Sequence, residues 1–181
     1  MLKFLARTMM DRFSRRYDYD VSYMRHMLDV SPAAFFKFNK VAAMAGHGES
    51  APKEALFTAR LCGVLEEDCG PCVQLGVTMG REAGIAASDL AAVLKGDKSA
   101  MSPSVKTAFE FCRAILARKG EDDAAREAVR EQWGEAGIID LTLAMQASRL
   151  YPMVKAGLGY AKTCQQVRVE GMTVAVVKTA A

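Results

Sequence analysis

Apolar residues return every three or four positions along almost the whole chain, and proline or glycine stands at most of the seams between runs. That rhythm fits amphipathic helices and leaves little room for sheet. Met1 to Arg16 places Leu2, Leu5, Met9 and Phe13 on one helical face among Lys3, Arg7, Arg12, Arg15 and Arg16. Ser31-Pro32 reads as a cap with proline at the first helical position, and Phe35, Phe38, Ala42 and Met44 continue until Gly46 and Gly48 stop the helix. Pro52 opens a helix through Leu56, Ala59, Leu61 and Val64 into Glu66-Glu67-Asp68. A further helix is predicted from Cys69 to about Gly84, a short one from Ser88 to Leu94 before Gly96, and another from Ser102-Pro103 to Lys119-Gly120. Glu121 to Gln132 reads as an exposed helix touching the core at Val129 and Trp133. Ile138 to Leu150, apolar on most sides, reads as a central helix that Pro152 bends or ends, followed by a helix from about Val154 to Gln166. Only Val167 to Val177 predicts an extended or hairpin-like tail. The expected class is all-α.

With 181 residues and a hydrophobic content of 51%, the chain can bury roughly 70% of its unfolded surface without a disulfide framework. One domain is expected over 1–181: an amphipathic helix at 1–16, a core at 20–166 and a tail at 167–181. A net charge of +3, with no basic run interleaved with aromatics, argues against nucleic acid as a partner. The basic N-terminal helix is expected to pack on the domain or a sister subunit, with a membrane surface as the alternative. No run of eighteen apolar residues occurs, so no integral membrane segment is expected, and no signal peptide is apparent. The expected address is the cytoplasm.

Cys62, Cys69, Cys72, Cys112 and Cys164 are odd in number and unevenly spaced, unlike a secreted scaffold. Cys112, Cys164 and Cys62 read as small buried hydrophobes. Cys69-Gly70-Pro71-Cys72 is different, because thiols at i and i+3 on a helix share a face and can exchange a dithiol for a disulfide. If Asp68 is the N-cap, the motif fills the first turn, where proline costs no hydrogen bond and free N–H groups stabilise a thiolate by up to about 1 kcal/mol. Glu66, Glu67 and Asp68 oppose that ionisation if their carboxylates approach, although one of them could accept the thiol proton.

A zinc site would need two further ligands with their own spacing, and the chain offers only His26, His47 and scattered cysteines. Covalent haem attachment needs a histidine where Val73 stands. Neither cofactor nor metal is expected. A thioredoxin fold would put a strand before the motif, where this chain reads as helix. Two thiols that merely pack on a helix are the plain alternative.

The stretch from Ala59 to Ile85, with its helix into Cys69-Gly70-Pro71-Cys72, a second helix closing in Ala83-Gly84-Ile85 and the short helix after it, resembles the carboxymuconolactone decarboxylase and alkylhydroperoxidase D (AhpD)-like superfamily. The likeness covers roughly residues 50 to 120. It implies an AhpD-like helical domain whose Cys69 and Cys72 form a redox-active pair that reduces a peroxide or disulfide and is recycled by a thiol electron donor. It also implies a homo-oligomer. The family's redox members carry a relay histidine at the position of Gly76 and a glutamate at the position of Phe57, so other groups would have to serve. Glu54, Glu67 and His47 are the candidates, with Glu54 alternatively a first-turn carboxylate facing the helix dipole.

His47, in a glycine-rich loop, can act as acid or base near neutral pH, or simply be a solvated loop residue. Asp140 and Arg149 in the buried helix are expected to serve structure, whereas Arg60 could reach a sulfur or a substrate carboxylate. The expected function is a thiol-dependent oxidoreductase, a peroxidase or disulfide reductase of antioxidant type, with Cys69 favoured by helix position as the more acidic thiol. The alternatives are a decarboxylase-like lyase and a non-catalytic, redox-sensing helical oligomer.

Overall fold

Helix α5 (Lys53–Glu66) is the axis of the molecule, and Ala55, Ala59, Leu61, Cys62, Gly63 and Val64 put much of it inside. The computed structural model describes residues 2–161, 166–169 and 172–175. Around α5 stand α1 (Leu2–Tyr17), α2 (Ser22–Val30), α3 (Pro32–Phe38), α4 (Val41–Ala45), α6 (Gly70–Glu82), α7 (Ala87–Lys95), α8 (Pro103–Ala117) and α9 (Asp123–Gly157). The fold is all-α, with one small two-stranded sheet among the described residues.

The closest packing joins α5 to α9. A Cβ placed on Gly63 would stand 2.3 Å from both the Met145 carbonyl oxygen and Ser148 Oγ, so only glycine lets the two helices approach this far. Ser148 Oγ lies 2.9 Å from the Arg60 carbonyl and 2.7 Å from the Met145 carbonyl, which satisfies a hydroxyl that burial would otherwise penalise. Helix α8 packs on α5 from another side, and Asp89 of α7 receives both the N–H and the hydroxyl of Ser102 where α8 begins.

Four expectations need correction. The helix expected to continue from Phe35 through Met44 is divided at Asn39-Lys40 into α3 and α4. Within α9 the break falls at Gly134 (φ 69°, ψ −171°), a conformation glycine adopts freely, and not at Pro152, which stays inside the helix and is buried. The helix expected from Val154 to Gln166 stops at Gly157, and β1 starts at Gln166. On α1 the packed stripe is Ala6, Met10, Phe13 and Tyr17, while Leu2, Phe4, Leu5 and Met9 are exposed. The stripe is turned because α1 is tied sideways to α2 by Arg7–Asp29 and Arg25–Asp11 pairs, and to α6 by Arg16 and Tyr17 on Glu82.

The expected extended tail is an antiparallel hairpin, β1 (Gln166–Val169) with β2 (Met172–Ala175), in which Val167 faces Val174. Val167, Val169 and Val174 are buried, and β1 lies against α6. Cys164 lies outside the described residues. Among the described residues no helix is long and apolar enough to cross a membrane.

Candidate functional site

The cysteine motif sits where α5 hands over to α6. Asp68 turns the chain with φ 52°, a left-handed conformation that a short polar residue tolerates better than a branched one. The N-cap position falls on Cys69 (φ −102°, ψ 90°), not on Asp68, because the left-handed corner at Asp68 stands two residues before α6 begins. Gly70 and Pro71 follow as the first helical residues, Pro71 losing no hydrogen bond there, and Val73 N–H closes the first turn on the Cys69 carbonyl at 2.9 Å. Cys69 and Cys72 come to a Cα–Cα separation of 5.3 Å with their sulfurs in disulfide contact. This separation lies inside the range a disulfide requires. Both residues are nearly enclosed, at 3% and 4% exposure.

Two of the three acidic residues before the motif are paired with arginines from two other helices. Glu67 Oε1 receives Arg149 Nε at 2.7 Å and Nη2 at 2.5 Å, and Glu66 receives Arg113 at 3.4 Å. Two carboxylates that would oppose a thiolate at Cys69 are therefore each beside a positive charge. Arg149 thus has the structural pairing expected of a buried charge, and Glu67 is committed to it.

Sequence reasoning missed the group that touches the couple. Tyr19, in the turn between α1 and α2, places its hydroxyl 3.4 Å from Cys72 Sγ. Its backbone is held at both polar groups by Ser14, which accepts Tyr19 N–H at 3.2 Å and donates its hydroxyl to the Tyr19 carbonyl at 2.8 Å. Phe13 meets the ring edge-on at 6.0 Å. From α9, Lys155 lies with its ammonium 4.7 Å from the Tyr19 ring centroid and 5.7 Å from that of Tyr23. Tyr19, Tyr23 and Lys155 are all buried. Burial raises the Tyr19 hydroxyl above the usual phenol range, and burial together with Tyr19 does the same to Tyr23, so both keep their protons at neutral pH.

The other candidates lie elsewhere. Lys53 donates to the Ala83 carbonyl at 3.1 Å, which puts the start of α5 beside the end of α6. Glu54 therefore stands about 15 Å of helix away from Cys72, in the first turn of α5. His47 belongs to that far end as well, with Nε2 3.4 Å from Asp140 Oδ1. The second Asp140 oxygen accepts the N–H groups of Glu49, Ser50 and Ala51 at 3.0, 2.8 and 2.9 Å, fixing the loop that leads into α5. Desolvation pushes the Asp140 carboxyl up, but those three donors and His47 outweigh it and hold it below the usual carboxylate range. Arg60 does not approach the sulfurs: its Nε donates to the Ala45 carbonyl at 2.9 Å and its guanidinium lies 4.6 Å from the Phe57 ring centroid.

Gly76, where the family's relay histidine would stand, faces Leu61 and Val64, so that side of α6 is closed by apolar packing. His26 is exposed, its ring 5.9 Å from that of Tyr160. Cys62 and Cys112 are buried free thiols in mutual contact between α5 and α8, and burial raises the Cys112 thiol well above its ordinary value. What stands at the start of α6 is therefore two sulfurs in bonding contact, a phenol against one of them, and two carboxylates already neutralised. No protein-family model, curated protein or solved structure matches this chain.

Proposed function

We propose that Cys69 and Cys72 work as a thiol–disulfide couple that reduces a small hydroperoxide and is restored by a thiol donor in a reducing compartment such as the cytoplasm. The observation that carries this reading is the disulfide contact of the two sulfurs at the first turn of α6. One thiolate attacks an oxygen of the O–O bond, giving a sulfenic acid and an alkoxide that takes up the proton its thiol released. The second thiol displaces the sulfenic oxygen, its proton leaving in water as the S–S bond forms. Two thiols are oxidised, one O–O bond is reduced, and a dithiol donor reopens the couple while becoming a disulfide itself.

Exposure of only 3% and 4% favours a small oxidant over a protein disulfide, which would need a broad approach to the sulfur. The AhpD-like resemblance supports the same chemistry. The lyase reading gains no such support, since Arg60 is engaged with Ala45 and Phe57 and not turned toward the couple. The test is peroxide turnover with a dithiol donor in wild type, Cys69→Ser and Cys72→Ser. Loss of turnover in both variants is expected; retention of wild-type turnover in both overturns the reading.

A second reading, a redox-sensing homo-oligomer, is favoured by one observation: the turn that carries Tyr19 to Cys72 continues directly from α1, whose Leu2, Phe4, Leu5 and Met9 are exposed. In it, oxidation changes how α1 meets a second copy. Sedimentation of reduced and oxidised protein separates the two, because a sensor without turnover changes mass on oxidation.

A further inference from the structure

We propose that Tyr19 holds the Cys72 sulfur as a thiolate whenever the couple is reduced, donating its hydroxyl hydrogen bond to it, and that buried Lys155 supplies the balancing positive charge through the Tyr19 ring. The proposal rests on the couple being redox-active, not on the identity of the oxidant. The Tyr19 hydroxyl is already 3.4 Å from Cys72 Sγ, within reach for an O–H donor to sulfur. A disulfide sulfur is a weak acceptor, whereas a thiolate is a charged one, so the same contact strengthens on reduction without any movement of the phenol.

The step balances. A dithiol donor gives up two electrons and two protons as it becomes a disulfide; the Cys69–Cys72 bond takes both electrons and one proton, leaving a thiol at Cys69 and a thiolate at Cys72, and the second proton goes to solvent. A thiolate in so enclosed a place needs a compensating charge and a fixed donor. Tyr19 meets the sulfur, and the groups that act on Tyr19 in turn are Asp20 beside it, Tyr23 from α2, and Tyr151 and Lys155 from α9. Of these Lys155 alone is cationic, and it lies over the ring whose hydroxyl meets the sulfur. A cation on the ring face draws electron density from the phenol and makes its O–H a better donor. Tyr19 reaches the couple from the α1–α2 turn, and not from the positions of Phe57 on α5 or Gly76 on α6. Cys72, not Cys69, becomes the thiolate-bearing residue.

The experiment reads Cys72 alone. In a Cys69→Ser background, the pH dependence of Cys72 alkylation is followed peptide by peptide by mass spectrometry, with and without Tyr19→Phe, which keeps the ring and its packing. Loss of the hydrogen bond is expected to raise the Cys72 midpoint by about one pH unit and to slow alkylation about tenfold below that midpoint. Lys155→Met is expected to move the midpoint in the same direction and to add little once Tyr19→Phe is present, since the lysine acts through the ring. Superimposable profiles for Cys69→Ser with and without Tyr19→Phe overturn the proposal, whatever Lys155→Met does to folding. A shifted profile in a protein that turns over no peroxide keeps this inference and removes the peroxidase reading instead.

Discussion

Gln74 treats Arg168 as a neighbouring strand would, accepting its backbone N–H at 2.7 Å and donating to its carbonyl at 3.1 Å. The side-chain amide stands in for a missing β partner and pins the hairpin to α6 two residues beyond Cys72. Because both bonds are exposed, their net contribution is about 1–2 kcal/mol together. Gln74→Ala is expected to leave global unfolding almost unchanged, to speed amide exchange across 166–175, and to quicken reduction of the couple by a water-soluble dithiol. Unaltered exchange in the hairpin would show that the valines alone hold it.

The α5–α9 crossing has no space to spare. Gly63→Ala drives a methyl group to 2.3 Å from the Met145 carbonyl oxygen and Ser148 Oγ, and neither the backbone nor a hydroxyl held by two carbonyls can retreat cheaply. A loss of about 1–3 kcal/mol is expected from overpacking, read as a lower denaturant midpoint at unchanged slope.

Asp140 contributes to the acid limb of stability. Its carboxyl titrates lower in the folded chain than the unfolded value of about 3.9, so its contribution is fully present above that pH and fades as pH falls through the folded value. Asp140→Asn is expected to destabilise the protein by about 1–3 kcal/mol at pH 7. The wild-type and variant curves should converge below about pH 4, which denaturant titrations across pH would reveal.

Arg149→Met removes the cation from Glu67 and leaves a largely enclosed carboxylate near the couple. It is expected to destabilise the fold by about 1–3 kcal/mol and to raise the pH at which the Cys69 thiol reacts. Glu67→Gln in the same background should restore the thiol, because the offending charge is then gone. Alkylation profiles of the three proteins decide the matter.

Most helices were legible because their cues are local. Pro52, Ser102-Pro103 and the apolar spacing behind them needed nothing beyond a few neighbouring residues, and α5 and α8 start where those cues put them. The couple was legible for the same reason, being a pair three positions apart. Tyr19 was not, since it stands between two aspartates with no periodicity around it and meets Cys72 across 53 residues of sequence. Lys155 carried a signal that was missed: it continues the buried stripe of Leu141, Ala144, Ser148 and Pro152 at intervals of three and four. Treating Pro152 as a break hides that continuity. Glu54, chosen for its place one turn before Phe57, and His47, expected to arrive through space, are instead held at the far end of α5.

The hairpin on α6 also orders events in time. During synthesis α6 leaves the ribosome some ninety residues before β1, so a newly made chain carries its cysteine couple without the strand that later lies on its helix. The face of α6 that β1 covers is therefore open on the nascent protein and closes only when the hairpin forms.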